Sequence, residues 1–261
     1  MKIGFIGLGN MASAIIRGIA GSGMEGVSIY GYNPHAEKTQ ALAASCGLVG
    51  CESNTAVVRA SEIVVLAVKP QVIASVLPEL APDAAGKLFV SVVAGKSLDW
   101  LAERLPGAAI IRAMPNINAK IGASVTGWCA SASASDAQKT AAEQILQTIG
   151  TTVEVPEKFA GIVSAVGGAS PAYTYLYINA LAEAALRAGM PKKMALELAA
   201  ASCEGSARMV RLSGEHPWAL ADQVTSPGGT TVEGLLQLQT LGFEHAVHAA
   251  IDAVLEKDAR L

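Results

Sequence analysis

The chain is short of charge. Only 16% of its 261 residues are Asp, Glu, Lys or Arg, against 51% hydrophobic, and the mean hydropathy is +0.39. So few charges leave apolar surface to be covered, which points to burial against another subunit and hence to a homo-oligomer. The 19 basic and 22 acidic residues give a net charge of −3 with no Lys/Arg cluster, which argues against a nucleic-acid partner. Cysteine is scarce too. Cys46, Cys51, Cys129 and Cys203 show no C-x-x-C spacing and no paired histidine, so they read as reduced, buried thiols of a cytoplasmic protein, not as a disulfide frame or zinc site. His245 and His248 share a helical face without a third ligand, and no metal is expected. No apolar run reaches the roughly 18 residues of a membrane helix, so no membrane partner is expected. The apolar start after Lys2 is broken by Gly7, Gly9 and Asn10, which argues against a signal peptide. Nor does any Ser/His/Asp set, carboxylate pair or activated cysteine assemble. That absence favours chemistry that a bound cofactor supplies while the protein positions and polarises.

What is present is concentrated at the start. Lys2–Ile6 reads as a short, fully buried strand that runs into Gly7-Leu8-Gly9-Asn10-Met11-Ala12 and then into a helix with Ala14, Ile15, Gly18 and Ile19 at helical spacing. This is the dinucleotide fingerprint in its G-x-G-x-x-A form. Gly7 permits the tight turn, Gly9 lets backbone approach a pyrophosphate, and Ala12 lets helix and strand pack closely. The helix N-terminus offers N–H groups to the phosphates.

Beyond it, strands are expected at 27–32, 48–51, 62–68, 88–93 and 108–113. Helices are expected at 35–45, 54–60, 71–80 and 98–105. The alternation implies a parallel, doubly wound sheet whose ligands bind outside the carboxyl ends of the strands. Gly7–Ala12, Lys69-Pro70, Ala94-Gly95 and Met114–Asn116 all fall at that edge. Two further strands, 124–129 and 151–155, flank a helix at 136–149. After Val155 the strand signal ends, so the reading is an α/β chain of two domains: a Rossmann domain at 1–155 and an all-helical domain at 156–261. Breaks in the second are expected at Gly167-Gly168, Pro171, Gly189–Pro191, Ser213–Pro217 and Ser226–Gly229.

Five polar features stand at the expected edge or among the helices. No carboxylate follows the second strand until Glu37, and Asn33, His35 and Lys38 stand there instead, which favours NADPH over NADH; Asn33 as a plain N-cap fits either cofactor. Lys69, at the end of a buried strand, is expected to project into the crevice where phosphate or ribose would lie; its plain alternative is a solvated strand terminus. Asn116 offers a donor and an acceptor there, with an Asx turn as its plain alternative. Arg112 serves a phosphate or a structural salt bridge. In the helical half, Thr225-Ser226-Pro227-Gly228-Gly229-Thr230-Thr231 frees backbone N–H groups at a helix start, a receptor for carboxylate or phosphate; its plain alternative is a capped helix–helix turn.

GFIGLGNMA at 4–12, Asn54, AVKP at 67–70, AG at 94–95, RAMPN at 112–116, SPAY at 170–173 and TSPGGTT at 225–231 together resemble the pyrroline-5-carboxylate reductase family over essentially the whole chain. The resemblance implies reduction of Δ1-pyrroline-5-carboxylate to L-proline with NADPH or NADH, the last step of proline biosynthesis. It implies a helical domain that interlocks with a partner's in a homodimer, or in a larger assembly such as a decamer. Carried over by position, Ile6, Gly7, Leu8, Gly9, Asn10, Met11 and Ala12 hold the pyrophosphate, and Asn33 and Asn54 the adenosine 2′-phosphate end. Ala67, Val68, Lys69 and Pro70 border the nicotinamide-ribose side with Ala94 and Gly95. Met114, Asn116, Ser226, Gly228, Gly229, Thr230 and Thr231 receive the substrate, and Thr231 is the catalytic hydroxyl near the ring nitrogen. Ser170 departs from the glycine that members commonly carry before Pro-Ala-Tyr.

Two other readings are weighed. A β-hydroxyacid dehydrogenase needs a lysine four residues before its helical asparagine, and Tyr175 stands four before Asn179. A non-catalytic NADP-binding regulatory protein has no use for the TSPGGTT loop.

Overall fold

The computed structural model describes residues 1–258 and 260. By contacts the chain divides into two compact units, Met1–Ala169 with Val254–Leu261, and Ser170–Ala253.

The first unit is built on an eight-stranded sheet. Its strands are β1 (Lys2–Ile6), β2 (Ser28–Tyr32), β3 (Val49–Gly50), β4 (Ile63–Leu66), β5 (Leu88–Ser91), β6 (Ala109–Met114), β7 (Ser124–Ala130) and β8 (Gly150–Glu154), in the order β3-β2-β1-β4-β5-β6-β7-β8. Helices α1 (Asn10–Gly21), α2 (Ala36–Cys46), α3 (Asn54–Ala60), α4 (Ile73–Leu80), α5 (Leu98–Arg104) and α6 (Asp136–Gln147) alternate with them. The apolar runs read as buried strands are buried on both faces. Along β1, Ile3 and Phe5 join a core with Ile15 and Ile19 of α1, whereas Ile6 joins Val57, Leu77 and Leu101 on the other side. In β4 the same alternation sends Ile63 and Val65 one way and Val64 and Leu66 the other.

The sheet is mixed where a parallel one was expected. The first six strands are parallel, but β7 runs antiparallel to β6, with β8 parallel to β7. The connection from β6 to β7 holds only a 3₁₀ turn at Ile117–Ile121. Without a helical crossover the chain comes back beside β6 in the opposite sense.

Register lines up the strand ends. Ile6 stands opposite both Tyr32 and Leu66, Leu66 opposite Ser91, and Ser91 opposite Arg112. The turns that follow β1, β2, β4, β5 and β6 therefore leave the sheet along one edge.

After β8 come a 3₁₀ turn at Glu157–Phe159, α7 (Ala160–Val163) and a π-helical turn at Ser164–Ala169. Gly167-Gly168 and Pro171 do not break the chain as expected. The glycines lie inside the π turn, and Pro171, the second residue of α8 (Ser170–Arg187), follows that turn without a gap; it has no N–H to give the Gly167 carbonyl four residues back, and that carbonyl takes a side-chain donor instead. The second unit contains α8, α9 (Lys192–Ser213), α10 (Pro217–Val224), α11 (Thr230–Thr240) and the start of α12 (Phe243–Asp258). Its core is small: Ala182, Ala195 and Ala199, with Ile178, Ala185 and Met190 against them. Leu176, Leu212, Val224 and Leu241 are 65% or more exposed in the isolated chain. No helix among the described residues is long and apolar enough to cross a membrane.

Candidate active site

At the end of β1 the backbone turns sharply at Gly7, whose φ is +86°. A Cβ there would lie 2.9 Å from Val68 Cγ1 and 3.0 Å from the Ala67 carbonyl oxygen, so glycine is required twice over. Gly9 differs. Its φ is −79°, and an added Cβ would meet no protein atom within 4 Å. Nothing in this chain needs glycine at that place; the space above it is what a pyrophosphate would fill. Gly9 is the N-cap of α1 and has no side chain to accept from the first-turn N–H groups, and no acidic residue stands in that turn. Those donors and the positive helix end suit a phosphate. Ala12 is fully buried against the sheet. Ile6 and Leu8 are buried as well, whereas Asn10 is exposed and Met11 half-buried. A groove of about 720 Å³ runs along α1 from Asn10 and Ser13 to Ser22, walled by Ala119, Lys120 and Thr148.

Beyond β2, Asn33 Oδ1 accepts the His35 N–H at 2.9 Å. The α2 N-cap position falls to His35, so the asparagine makes an Asx turn ahead of the helix instead of capping it. His35 and Lys38 are exposed beside it. Asn54 opens α3 behind Ser53, which caps that helix by accepting from the Ala56 N–H. Its own amide donates to Glu79 Oε1 at 2.7 Å. The nitrogen expected to meet a 2′-phosphate is thus held by a carboxylate, which repels a second anion.

Ala67 to Pro70 follow β4, with Lys69 exposed, and the Lys69 carbonyl accepts the Val72 N–H. After β5, Gly95 turns with φ +73° next to Ala94. Met114 ends β6, and the buried Asn116 follows Pro115. Asn116 Nδ2 donates to the Gly167 carbonyl at 2.9 Å, Oδ1 accepts the Asn118 N–H at 3.0 Å, and its own N–H donates to Ser124 Oγ at 3.0 Å. The Asx-turn alternative is what is observed, and the residue is 5% exposed. Arg112 makes a structural ion pair, Nη1 to Glu157 Oε1 at 3.4 Å. Beside that pair burial pushes the Cys129 thiol up to about 11, and the Glu157 charge adds to the shift.

In the helical unit, the Gly229 N–H donates to the Ser226 carbonyl at 2.9 Å. Pro227 and Gly228 (φ +68°) fill the two central positions, the pattern of a type II turn. A Cβ on Gly229 would lie 2.4 Å from Ser226 Oγ. Gly229 is the N-cap of α11 without a side-chain cap, and Thr230 and Thr231 open that helix with exposed side chains. Both halves of the expected site therefore contain the same device, a glycine-capped helix start.

The edge of the sheet brings together Gly7–Ala12, Asn33, Ala67–Pro70, Ala94-Gly95 and Met114–Asn116, the arrangement of a Rossmann-type dinucleotide-binding protein. Family models agree: residues 2–95 match "NADP oxidoreductase coenzyme F420-dependent" and 157–261 match "Pyrroline-5-carboxylate reductase dimerisation". The pyrroline-5-carboxylate reductase of Escherichia coli is 39% identical over 100% of this chain and 98% of its own length. The NADP-bound pyrroline carboxylate reductase of Plasmodium falciparum superposes with a TM-score of 0.90 at 31% identity, covering 100% of this chain and 97% of that one. An imine reductase of Streptomyces aurantiacus shares the fold at a TM-score of 0.63 and 16% identity, covering 100% of this chain and 94% of that one. The chain belongs to the pyrroline-5-carboxylate reductase family.

Glu157 was not among the expected site residues. Its signal was indirect: a cation such as Arg112 inside a buried strand demands a carboxylate from somewhere.

Proposed function

We propose that this protein reduces Δ1-pyrroline-5-carboxylate to L-proline with NADPH, or with NADH, as the last step of proline biosynthesis. The observation that carries this is the open, uncapped start of α1 above Gly9, set at the aligned strand ends of a chain whose full length matches that family.

The residues present fit a dinucleotide. The α1 N–H groups bind its pyrophosphate. Asn33, with His35 and Lys38 beside it, faces the adenosine 2′ end; Asn54 reaches that end only by leaving Glu79. Ala67–Pro70 and Ala94-Gly95 border the nicotinamide side. When bound, the nicotinamide supplies a hydride to the imine carbon. A proton reaches the nitrogen, so C=N becomes CH–NH.

The α11 start receives the substrate carboxylate through the Gly228 and Thr230 N–H groups, with the Ser226 hydroxyl beside them; the Gly229 N–H is taken by the Ser226 carbonyl, so Gly229 serves as the N-cap that closes the turn and not as a donor. Thr231 holds the imine nitrogen by its hydroxyl, which both donates and accepts, and so orients the carbon for attack without acting as the acid. Met114 lines the substrate side. Asn116 contributes by fixing the Gly167 carbonyl, with any direct substrate contact left to its second amide hydrogen.

We assign 1–155 to cofactor binding and 156–261 to dimerisation and substrate. The thin core of the helical unit and its exposed Leu176, Leu212 and Leu241 support a homodimer or larger homo-oligomer. The four free cysteines fit a place in the cytoplasm. The test is to mix the protein with pyrroline-5-carboxylate and each reduced nicotinamide and follow absorbance. Decay is expected, faster with NADPH; none with either cofactor would refute the reading.

A further inference from the structure

Arg112 is an unusual residue for its place. It stands in β6 between Ile111 and Ala113, both buried, and opposite Ser91 and Cys129 on the neighbouring strands. Its side chain keeps 11% of its exposure, and its Nε has no hydrogen-bond partner among the described residues. A guanidinium so enclosed is tolerated only beside a carboxylate, and the carboxylate comes from Glu157, in the first turn after β8.

Glu157 does a second thing. The same Oε1 that faces Arg112 accepts the Leu98 N–H at 2.7 Å. Leu98 is the first residue of α5, and its N–H is one of the donors that the helix leaves without an internal partner. The Ser97 hydroxyl takes the Trp100 N–H two residues beyond Leu98, the donor that an N-cap side chain reaches, and leaves the Leu98 N–H to another acceptor. Glu157 therefore ties the start of α5 to the end of β6.

What lies between β5 and that tie is the Ala94-Gly95 turn. Its leading side is fixed: the Val92 N–H donates to the Leu66 carbonyl at 3.0 Å and the Val93 N–H to Ser91 Oγ at 3.3 Å. Only Ala94, Gly95, Lys96 and Ser97 separate this anchor from Leu98, and Gly95 is in the left-handed region. On the trailing side, the Glu157 carboxylate fixes Leu98.

We propose that Glu157, held by Arg112, is a positioning residue that sets the Ala94-Gly95 turn for the nicotinamide half of the cofactor. The inference rests on the reductase reading above, in which that turn borders the nicotinamide ribose. It gives a reason for an arginine at position 112 that a phosphate contact does not. It also makes the opening residue of the matched dimerisation segment a support of the cofactor site.

The test separates the two halves of the dinucleotide. Glu157→Gln keeps the shape and a carbonyl for Leu98 but removes the charge that holds Arg112. In the full-length protein, binding of NADPH and of adenosine 2′,5′-bisphosphate, which lacks the nicotinamide half, is measured by calorimetry. The NADPH Kd is expected to rise about tenfold and that of the bisphosphate to stay within about twofold. In turnover, KM for NADPH rises while KM for pyrroline-5-carboxylate holds. Unchanged NADPH binding overturns the proposal, and so does equal weakening of both ligands, which would mark a general structural role. R112M/E157Q removes both charges, guards against misfolding of the single variant, and is expected to bind NADPH within about twofold of E157Q. Additive weakening would show that Arg112 and Glu157 do not act as a unit. Wild-type protein that binds neither NADPH nor NADH would refute the reductase reading, and the inference with it.

Discussion

Replacing Gly9 by alanine separates a binding role from a folding role. At φ −79° alanine is unstrained, and its Cβ meets no protein atom within 4 Å. The folding cost is that of a poorer N-cap, about 1 kcal/mol or less, so the urea midpoint should barely move. Ligand binding should suffer far more. A methyl group above Gly9 holds the pyrophosphate away from the α1 N–H groups. Losing two charge-assisted hydrogen bonds, each about 1.5–3 kcal/mol, weakens NADPH by about a hundredfold or more. Gly7→Ala is the control with the opposite signature. It puts alanine at φ +86° with its Cβ 2.9 Å from Val68, and should cost about 2 kcal/mol or more of stability before any ligand is added. The assay is a pair of measurements on each variant, urea unfolding and NADPH titration by fluorescence. Wild-type NADPH affinity in Gly9→Ala would refute the assignment of that space to pyrophosphate.

Thr231→Ala should lower kcat with little change in NADPH affinity, and Thr231→Ser should restore most of the rate; wild-type turnover in the alanine variant would remove Thr231 from the mechanism. Asn116→Ala leaves the Gly167 carbonyl and the Asn118 N–H without their buried partner, and should cost about 1–3 kcal/mol in urea unfolding even without ligand. The Cys129 thiol is pushed up to about 11, against an unfolded value near 9.0. The native state therefore keeps a proton that the unfolded chain loses, and stability should fall between about pH 9 and pH 11 by up to roughly 1.4 kcal/mol per pH unit. Cys129→Ala should flatten that part of the profile, and an unchanged slope would contradict the assignment.

Most of the sheet was legible because its strands are buried on both faces. Runs such as 62–68 and 88–93 have no polar face to hide them, and their turns carry Gly, Pro or Asn. The direction of β7 was not legible, since side-chain pattern is the same for either sense and only the missing crossover helix decides it. Pro171 was misread as a break because the π turn just before it accommodates a proline that a regular helix interior excludes. The glycine-capped starts of α1 and α11 are local features, written in consecutive residues, and were therefore visible. What long-range partners do to a side chain was not. Glu79 reaches Asn54 across 25 positions, Gly167 meets Asn116 across 51, and Glu157 meets Leu98 across 59. For Arg112 the sequence required a counter-charge without naming it.

The central claim, that the sheet edge and the α11 start serve one imine reduction, is tested most directly by NADPH oxidation in the presence of pyrroline-5-carboxylate, with proline measured as the product. The account predicts one proline formed for each NADPH consumed, with the rate abolished in Gly9→Ala at low cofactor concentration. NADPH binding without proline formation under any cofactor concentration would contradict it.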